Sequence, residues 1–261
     1  MNNLVIGNTS QLSYYFPESY IKISSRNIDF NFLKSKEWDS VYFCFGESKK
    51  FSIDYNQHDY VNFHLTLDIL NQLTKNSKKI VIFSTCELWN KYNGQISLDL
   101  PFSFYETIYT KSKFKITDEV LKKEKYSNVK IVYPFNFNSI YRSNDFLFGK
   151  IFDSIINKKQ IEVGDTYFYR DIIHPKFVVE KAIECENHVI VGSGRLTFVN
   201  DFIRDLYKNF SMDYDEFVTE KLSNYFEYEK RNEYYLKSKK NYFSYKDLIN
   251  FTISDINNIF L

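Results

Sequence analysis

Tyr109 and Lys113 are the two residues whose types and spacing point most directly to chemistry. They stand four positions apart in a stretch with helical apolar spacing, and on a helix such residues share one face, with Cβ atoms about 6 Å apart. A cation at that distance stabilises a phenolate and lowers the tyrosine pKa from its ordinary value of about 10. The pair could then pass a proton to or from a carbonyl or hydroxyl group. Because the chain holds 22 tyrosines, the same spacing also arises by chance.

Residues 7–13, Gly-Asn-Thr-Ser-Gln-Leu-Ser, directly follow an apolar run. We expect a strand, a tight turn and the start of a helix here, and the backbone N–H groups of such a turn bind a pyrophosphate. Only the first glycine of the dinucleotide fingerprint is present, because Ser10 and Ser13 stand at the second and third glycine positions. Thr9 and Ser10 could donate hydroxyl groups to phosphate oxygens. An ordinary strand-to-helix turn is the alternative interpretation.

The segment after the second apolar run carries Ser25, Arg26 and Asp29. A dinucleotide domain that prefers NAD usually has a carboxylate here for the ribose 2′-hydroxyl, whereas a 2′-phosphate favours a cation and small hydroxyls. Ser25 and Arg26 therefore favour NADP. Asp29 argues against this, although its position three residues further on fits the adenine better than the ribose. Taken alone, Arg26 is also compatible with an ordinary surface arginine.

Thr85 and Glu87 follow the apolar run 80–83, where a strand is expected to end. In parallel α/β sheets ligands bind at the carboxyl edge, so the Thr85 hydroxyl could hydrogen-bond the same substrate oxygen as the tyrosine. Glu87 is a candidate acid or base. Cys86 would be a nucleophile only with a lowered pKa, and we interpret it as a bystander.

Short apolar runs alternate with longer amphipathic stretches, which predicts an α/β fold with a parallel sheet. The predicted strands are 3–6, 20–24, 39–43, 79–83 and 129–134. The predicted helices are 59–73, 105–121, 146–156, 175–184, 199–210 and 245–260. The charged, tyrosine-rich stretch 214–245 has no clean period and is compatible with a solvated cap or with a substrate-contacting segment.

Composition restricts the partners. The chain has 34 Lys and Arg against 33 Asp and Glu, so no broad basic field exists to bind nucleic acid or anionic lipid. No apolar run reaches the roughly 18 residues of a membrane span, and no leader sequence is visible. The three cysteines suggest neither a disulfide framework nor a zinc site. We expect a cytoplasmic protein with no membrane, nucleic-acid or metal partner.

Taken in chain order, the four segments resemble the extended short-chain dehydrogenase/reductase family, the NAD(P)-dependent epimerases, dehydratases and reductases of nucleotide sugars. The resemblance continues in Asn62, in Pro134-Phe135-Asn136, in Arg170-Asp171-Ile172-Ile173-His174 and in the run 189–194. It covers about residues 3 to 210. It implies a Rossmann-like doubly wound parallel sheet in a dinucleotide-binding domain at 1–135, with a contribution from about 165–185. The smaller C-terminal region, 136–261, would bind the nucleotide sugar.

The resemblance also implies residue roles. Tyr109 would be the general acid, Thr85 would orient the carbonyl, Lys113 would tune the phenol and bind the nicotinamide ribose, Glu87 would complete the catalytic set, and His174 would be structural. Besides Tyr109 and Lys113, the residues implied to contact NADP(H) are Gly7, Thr9, Ser10, Gln11, Leu12, Ser25, Arg26, Asp29, Phe30, Phe45, Gly46, Asn62 and Pro134. The residues implied to contact the nucleotide sugar are Thr85, Glu87, Asn136, Arg142 and Arg170.

Within this family, residues 25–30 are closest to the NADPH-dependent 4-keto sugar reductases, such as GDP-fucose synthase and dTDP-4-dehydrorhamnose reductase. This predicts reduction of a 4-keto nucleotide sugar in surface polysaccharide biosynthesis. The run 84–89 instead resembles the catalytic loop of GDP-mannose 4,6-dehydratase, so a dehydratase or epimerase using Thr85, Glu87, Tyr109 and Lys113 is an alternative. The missing glycines leave a non-catalytic NADPH sensor as a third interpretation.

Family members often dimerise through the helix that carries the tyrosine. Phe102, Tyr105 and Ile108 give the outer face of that predicted helix an apolar component, which favours a homodimer. No motif predicts a role for residues 211–261.

Overall fold

The computed structural model describes residues 2–48, 54–221, 236–237 and 243–259, with 236–237 described by their backbone. The chain divides into two compact units. The first comprises Met1–Lys91, Leu98–Pro134 and Val178–Val191, and the second comprises Tyr92–Ser97, Phe135–Phe177 and Gly192–Leu261.

Strands and helices alternate along the first two thirds of the chain. The strands are β1 (Asn3–Ile6), β2 (Ile21–Ile23), β3 (Trp38–Phe43), β4 (Ser77–Phe83), β5 (Gly94–Gln95), β6 (Val129–Pro134), β7 (Asn136–Phe137), β8 (Ile161–Val163), β9 (Tyr169–Arg170), β10 (Ile172–Ile173), β11 (Val189–Val191), β12 (Thr197–Phe198), β13 (Val218–Glu220) and β14 (Leu236–Lys237). The α-helices are α1 (Phe30–Lys34), α2 (Tyr55–Asp59), α3 (Thr66–Leu73), α4 (Ile108–Lys122), α5 (Leu147–Asn157), α6 (Pro175–Glu184), α7 (Val199–Asn209), α8 (Tyr214–Phe217) and α9 (Tyr245–Asn257).

The first unit is built on a six-stranded sheet in the order β11-β6-β4-β3-β1-β2, with every pairing parallel. This confirms the predicted Rossmann-like α/β class. The central strands are almost solvent-free, as in the fully buried Leu4, Val5 and Ile6 of β1, because helices and loops cover both faces of a parallel sheet. The chain leaves β1 toward β2 on one side and returns to β3 on the other. The strand order therefore reverses between β1 and β3, where such folds bind ligands.

The connection from β1 to β2 does not contain the predicted helix. It holds a single 3₁₀ turn, Ser13–Tyr15, and the chain is extended at Phe16. Pro17 explains the stop, because a proline disfavours helical geometry at the residue before it. Phe16 is instead buried against Tyr42 with ring centroids 4.7 Å apart, so an aromatic contact covers the sheet where a helix was expected.

Helical structure between β3 and β4 starts earlier than predicted. Asp54 caps α2 by accepting a hydrogen bond from Gln57 N, and the helix continues through a π-helical segment, Tyr60–Leu65, into α3. π-Helical turns are rare and frequently occur at functional sites. Asn62 lies within this one.

Helix α4 starts at Ile108 rather than at residue 105. Thr107 is its N-cap and forms a capping box with Thr110, whose hydroxyl also donates to Tyr105 O at 2.8 Å. A capping box satisfies N–H groups that the first helical turn leaves unpaired, so it fixes the start of the helix. Tyr109 therefore lies in the first turn of α4.

The second unit contains short strand pairs and helices α5, α7, α8 and α9. The buried His174 side chain contacts Asp255 of α9 through Nε2 at 2.9 Å, and its Nδ1 accepts a hydrogen bond from Lys176 N. These contacts fit the structural role predicted for His174. The backbone of β14 pairs with β5, while most of the predicted unpatterned stretch after residue 221 lies outside the described residues.

Among the helices in the described ranges, none combines the length and apolarity needed to span a bilayer.

Candidate active site

Gly7 forms the turn at the carboxyl end of β1. Its φ angle is +103°, and its N–H donates to Ile23 O at 2.8 Å. A Cβ atom at this position would lie 2.7 Å from Phe45 N. The turn therefore requires glycine both for its backbone angle and for the close approach to the Phe45 backbone.

The rest of this turn is stabilised by a serine side chain. The fully buried Ser13 hydroxyl lies 2.8 Å from Asn8 O and 2.6 Å from Ser10 O, within donor distance of both carbonyls. Thr9 is exposed, Leu12 is buried, and the Gln11 side-chain oxygen is buried without a hydrogen-bond partner. Ser13 thus stands where the fingerprint has its third glycine and forms hydrogen bonds there. That glycine normally allows close packing of an α-helix on the sheet, and no α-helix follows this turn.

The residues predicted to select the cofactor lie after β2. Arg26 is exposed, and Ser25 is partly buried. Asp29 caps α1, where its Oδ1 accepts hydrogen bonds from Asn31 N and Phe32 N at 2.9 and 3.2 Å. Helix capping therefore accounts for Asp29 without a cofactor contact. Phe30, the first residue of α1, is exposed.

Asn62 fixes the segment that follows β3. Its amide oxygen accepts from Glu47 N, while its two amide hydrogens are used by Glu47 O and the Ser112 hydroxyl of α4, all within 3.0 Å. Both donors of Asn62 are thus engaged inside the protein. Its observed contacts position Gly46 and α4, and a direct cofactor contact stays a prediction. The Phe45 ring stacks on Phe43 with centroids 5.6 Å apart.

Helix α4 is attached to the end of β4 by side chains of its inner face. Lys113 Nζ donates to Phe83 O at 2.9 Å, and one turn later the Thr117 hydroxyl pairs with the Ser84 hydroxyl at 2.8 Å. Tyr109 precedes Lys113 by one turn and is partly buried. This attachment brings the N-terminal end of α4, which carries Tyr109, close to the residues that follow β4. The carbonyl that Lys113 contacts belongs to Phe83, two residues before Thr85.

The Lys113 side chain is partly buried. Desolvation lowers its pKa to about 8, since burial disfavours the charged form. Apart from Phe83 O, the described residues supply no hydrogen-bond acceptor to this amine. Two of its three N–H donors are therefore not used by the described part of the chain.

Thr85 and Glu87 lie in a 3₁₀ turn, Cys86–Trp89, that begins directly after β4. The buried Thr85 is its N-cap, and its hydroxyl oxygen accepts from Glu87 N at 3.2 Å. This bond uses the Thr85 oxygen as acceptor and leaves its hydrogen able to donate. Cys86 is buried, which fits the bystander interpretation.

Sequence reasoning missed Asn90. This buried residue donates from Nδ2 to Glu87 Oε2 at 3.1 Å and accepts from Tyr105 N at 2.6 Å. No motif pointed to it, because its second partner is 15 residues away in the chain. An asparagine three positions after a candidate acid was the only available hint.

The predicted dimer face is partly wrong. Phe102 and Tyr105 precede α4, and the Phe102 ring packs against Trp89 and Phe114 with centroids 4.9 and 5.8 Å apart. Phe102 is half-buried and packs on these rings before the helix begins, so it does not lie on an outer face of α4.

The second unit brings two of the predicted substrate residues onto neighbouring strands. Asn136 pairs with Ile172, two residues after Arg170. Arg170 donates to Tyr169 O at 2.8 Å and stacks over Phe168, and Arg142 stacks over Phe146. Stacking of this kind orients each guanidinium plane. Pro134, at the end of β6, is buried in the first unit beside Val191.

The residues of the first unit fit a nicotinamide dinucleotide. A glycine turn lies at the point where the strand order reverses, the Gln11 amide oxygen is buried and unpaired, and Lys113 has N–H donors that the described chain does not use. The glycine turn would face a phosphate, the Gln11 oxygen would face an amide, and Lys113 would face ribose hydroxyl groups. The part that does not match the usual pattern is the missing helix after the turn, whose N-terminal dipole normally assists phosphate binding.

Comparison with known proteins identifies the fold. No protein-family model matches the chain, and no curated protein sequence matches it. Among solved structures, RMD from Pseudomonas aeruginosa complexed with NADPH is similar with a TM-score of 0.77 at 15% identity, over 99% of this chain and 100% of that chain. UDP-glucuronic acid 4-epimerase from Bacillus cereus in complex with NAD is similar with a TM-score of 0.76 at 14% identity, over 100% of both chains.

A third structure widens the range of activities on this fold. DesIV, the dTDP-glucose 4,6-dehydratase of Streptomyces venezuelae with NAD and TYD bound, has a TM-score of 0.74 at 14% identity, over 99% of this chain and 97% of that chain. The chain therefore shares its fold with a nucleotide-sugar epimerase, a nucleotide-sugar dehydratase and a protein complexed with NADPH. At these identities the likeness defines the fold and leaves the reaction open.

Proposed function

We propose that this protein is an NADPH-dependent reductase that acts on the 4-keto group of a nucleotide-linked sugar in surface polysaccharide biosynthesis. The observation that carries the proposal is the attachment of α4 to the end of β4 through Lys113 and Phe83 O. This attachment supports a site at the carboxyl edge of the sheet in which Tyr109, Lys113 and Thr85 would supply the proton donor, the cation and the hydroxyl group that carbonyl reduction needs.

In this mechanism Tyr109 donates its phenolic proton to the carbonyl oxygen. The Lys113 ammonium stabilises the phenolate that remains, and the Thr85 hydroxyl donates a hydrogen bond that orients the same oxygen. Bound NADPH would supply the hydride to the carbonyl carbon. Glu87 accepts a hydrogen bond from a hydroxyl of the sugar. Asn136, Arg142 and Arg170 are proposed to contact the nucleotide sugar, the arginines through its phosphates.

The proposed preference for NADPH rests on Ser25 and Arg26. An exposed arginine directly after β2 suits a 2′-phosphate, and Asp29 caps a helix instead of serving as the ribose carboxylate of an NAD site. Calorimetric titration with NADPH and NADH should show NADPH binding at least tenfold tighter, a difference of about 1.4 kcal/mol. Arg26→Ala should remove the preference, while Lys34→Ala, which removes another exposed cation nearby, should keep it. Tighter binding of NADH would refute the assignment.

A 4,6-dehydratase or epimerase is the second candidate, and the position of Glu87 favours it. Its carboxylate is held by Asn90 two residues after Thr85, where a base could remove a proton from a sugar ring. Such an enzyme keeps its cofactor through the cycle and consumes none.

Turnover assays separate these functions. The purified protein is incubated with NADPH and a panel of 4-keto nucleotide sugars, and NADPH absorbance and products are followed. A reductase oxidises one NADPH per sugar reduced. A dehydratase or epimerase copurifies with oxidised cofactor and gives product with no net NADPH loss, and a sensor binds NADPH without any turnover. Sedimentation of the same sample tests the homodimer that the family resemblance implies.

A further inference from the structure

The buried amide of Asn90 bridges two segments next to the candidate active site. Its Nδ2 donates to the Glu87 carboxylate and its Oδ1 accepts from Tyr105 N, at 3.1 and 2.6 Å. The opposite amide orientation would place an oxygen against a carboxylate and an N–H against an N–H. Both partners therefore select the same orientation, and the amide is held between a candidate catalytic group and the segment that leads into α4.

Contacts other than those of the Asn90 side chain also hold the segment that leads into α4. Backbone hydrogen bonds already join it to the 3₁₀ turn, from Lys91 N to Ser103 O and from Ser103 N to Leu88 O, at 3.0 and 2.9 Å. The Trp89 indole also donates to Leu100 O at 3.0 Å. Since these contacts hold the backbone, the Asn90 side chain contributes something more specific, because its amide orients the Glu87 carboxylate.

We infer that Asn90 is a positioning residue that orients the Glu87 carboxylate and couples it to the start of the helix carrying Tyr109. The inference rests on the proposed function in assigning Glu87 to the substrate site. For either of the two candidate enzymes, Glu87 must point at the sugar to act as a hydrogen-bond acceptor or as a base. Asn90 therefore contributes to the position of that group, and Thr110, which donates to Tyr105 O, holds the same backbone from the helix side.

Two substitutions separate the two hydrogen bonds of Asn90. Asn90→Ala removes both. Asn90→Asp keeps the acceptor for Tyr105 N but places a second carboxylate beside Glu87, and two carboxylates in one site force one pKa upward. Hydrogen exchange at the Tyr105 amide should therefore accelerate in Asn90→Ala and stay slow in Asn90→Asp. Carbon NMR of labelled glutamate should show a raised Glu87 pKa in both variants, with the larger rise in Asn90→Asp.

Turnover gives the functional readout. Asn90→Ala should lower kcat by about tenfold to a hundredfold, the loss expected for one hydrogen bond to a charged group, with KM within about threefold. The acidic limb of the kcat profile should move to higher pH. In a Glu87→Gln background, Asn90→Ala should lower kcat less than in the wild type, because the part of its effect that passes through the carboxylate is already lost. Asn56→Ala, an exposed asparagine of α2, is the matched control.

The outcomes also distinguish this inference from the proposed function. If the wild-type protein reduces no 4-keto nucleotide sugar, the proposed function fails, while the NMR and exchange experiments, which need no substrate, still decide whether Asn90 controls Glu87. An unchanged Glu87 titration in both variants overturns the inference. An equal loss of kcat in the wild-type and Glu87→Gln backgrounds overturns it as well, because the effect of Asn90 would then not pass through the carboxylate.

Discussion

Two connections of the first unit leave the same edge of its sheet and differ in secondary structure. Between β1 and β2 the expected helix is reduced to one 3₁₀ turn, Ser13–Tyr15, closed by serine hydrogen bonds. After β4 the chain forms a 15-residue capped helix held to the strand by Lys113 and Thr117. A backbone turn is sufficient to bind phosphate, whereas proton transfer needs side chains at fixed separations. The rigid helix is therefore found in the connection whose side chains would carry out proton transfer.

The largest expected effect comes from the rigid connection. Tyr109→Phe should lower kcat by about a thousandfold, equivalent to about 4 kcal/mol of transition-state stabilisation, because the general acid is lost. NADPH affinity and thermal unfolding should stay within error of the wild type. Steady-state NADPH oxidation measures the change, with Tyr60→Phe, an exposed tyrosine, as the control. A loss below tenfold would mean that another group supplies the proton.

Gly7→Ala tests the turn that remains in the reduced connection. The positive φ and the clash with Phe45 N should together lower the free energy of unfolding by about 2–4 kcal/mol. Gly94→Ala is the matched control, since Gly94 also has a positive φ but a Cβ there meets no atom within 4 Å. That variant should lose only about 1 kcal/mol of backbone strain. Equal losses in urea unfolding would show that the contact with Phe45 contributes nothing.

Lys113→Met should raise stability at pH 7 while lowering reductase activity. The pKa of Lys113 is about 8 in the folded chain against an ordinary 10.5, so the unfolded chain binds the proton more tightly. Linkage then makes wild-type stability rise with pH between these values and makes the charged lysine destabilising at pH 7. The variant should be more stable at pH 7 by about 1 kcal/mol, after the loss of the bond to Phe83 O is subtracted.

The same variant should have little reductase activity, because the phenolate of Tyr109 loses its cation. In the wild type, kcat/KM should fall above a pH of about 8, since kcat/KM reports ionisations of the free enzyme. Urea unfolding at pH 7 and at pH 9.5 gives the stability comparison. A wild-type stability that falls over this pH range relative to the variant would contradict the burial of a charged Lys113.

The smallest effect is expected at Ser13. Ser13→Ala removes a buried hydroxyl that closes the turn and should lower the free energy of unfolding by about 1 kcal/mol and NADPH affinity by a few-fold. Ser127→Ala, at an exposed position, serves as the control. If cofactor affinity is unchanged while stability falls, the turn supports the sheet without shaping the phosphate site. The connection from β1 to β2 would then serve folding, in contrast to the connection after β4.

Much of the fold could be predicted because its signals are local. The apolar runs of β1 and β6 and the proline at the first position of α6 gave those elements their observed bounds. The errors arose where a short-range feature competed with the general pattern. Pro17 stopped a helix after β1, and the capping box of Thr107 fixed the start of α4 at Ile108. Phe102 precedes that helix and packs against Trp89.

The amino-acid sequence by itself determined the alternation of strands and helices and the placement of Tyr109 and Lys113 on one face of a helix, because both follow from the periods of regular structure. Only the tertiary structure decided that the Lys113 amine is desolvated against Phe83 O, 30 residues away. It also decided that Asn90 joins Glu87 to the backbone of Tyr105. Such contacts depend on how distant segments meet, and burial then changes the pKa and the orientation of groups whose identity the sequence already specifies.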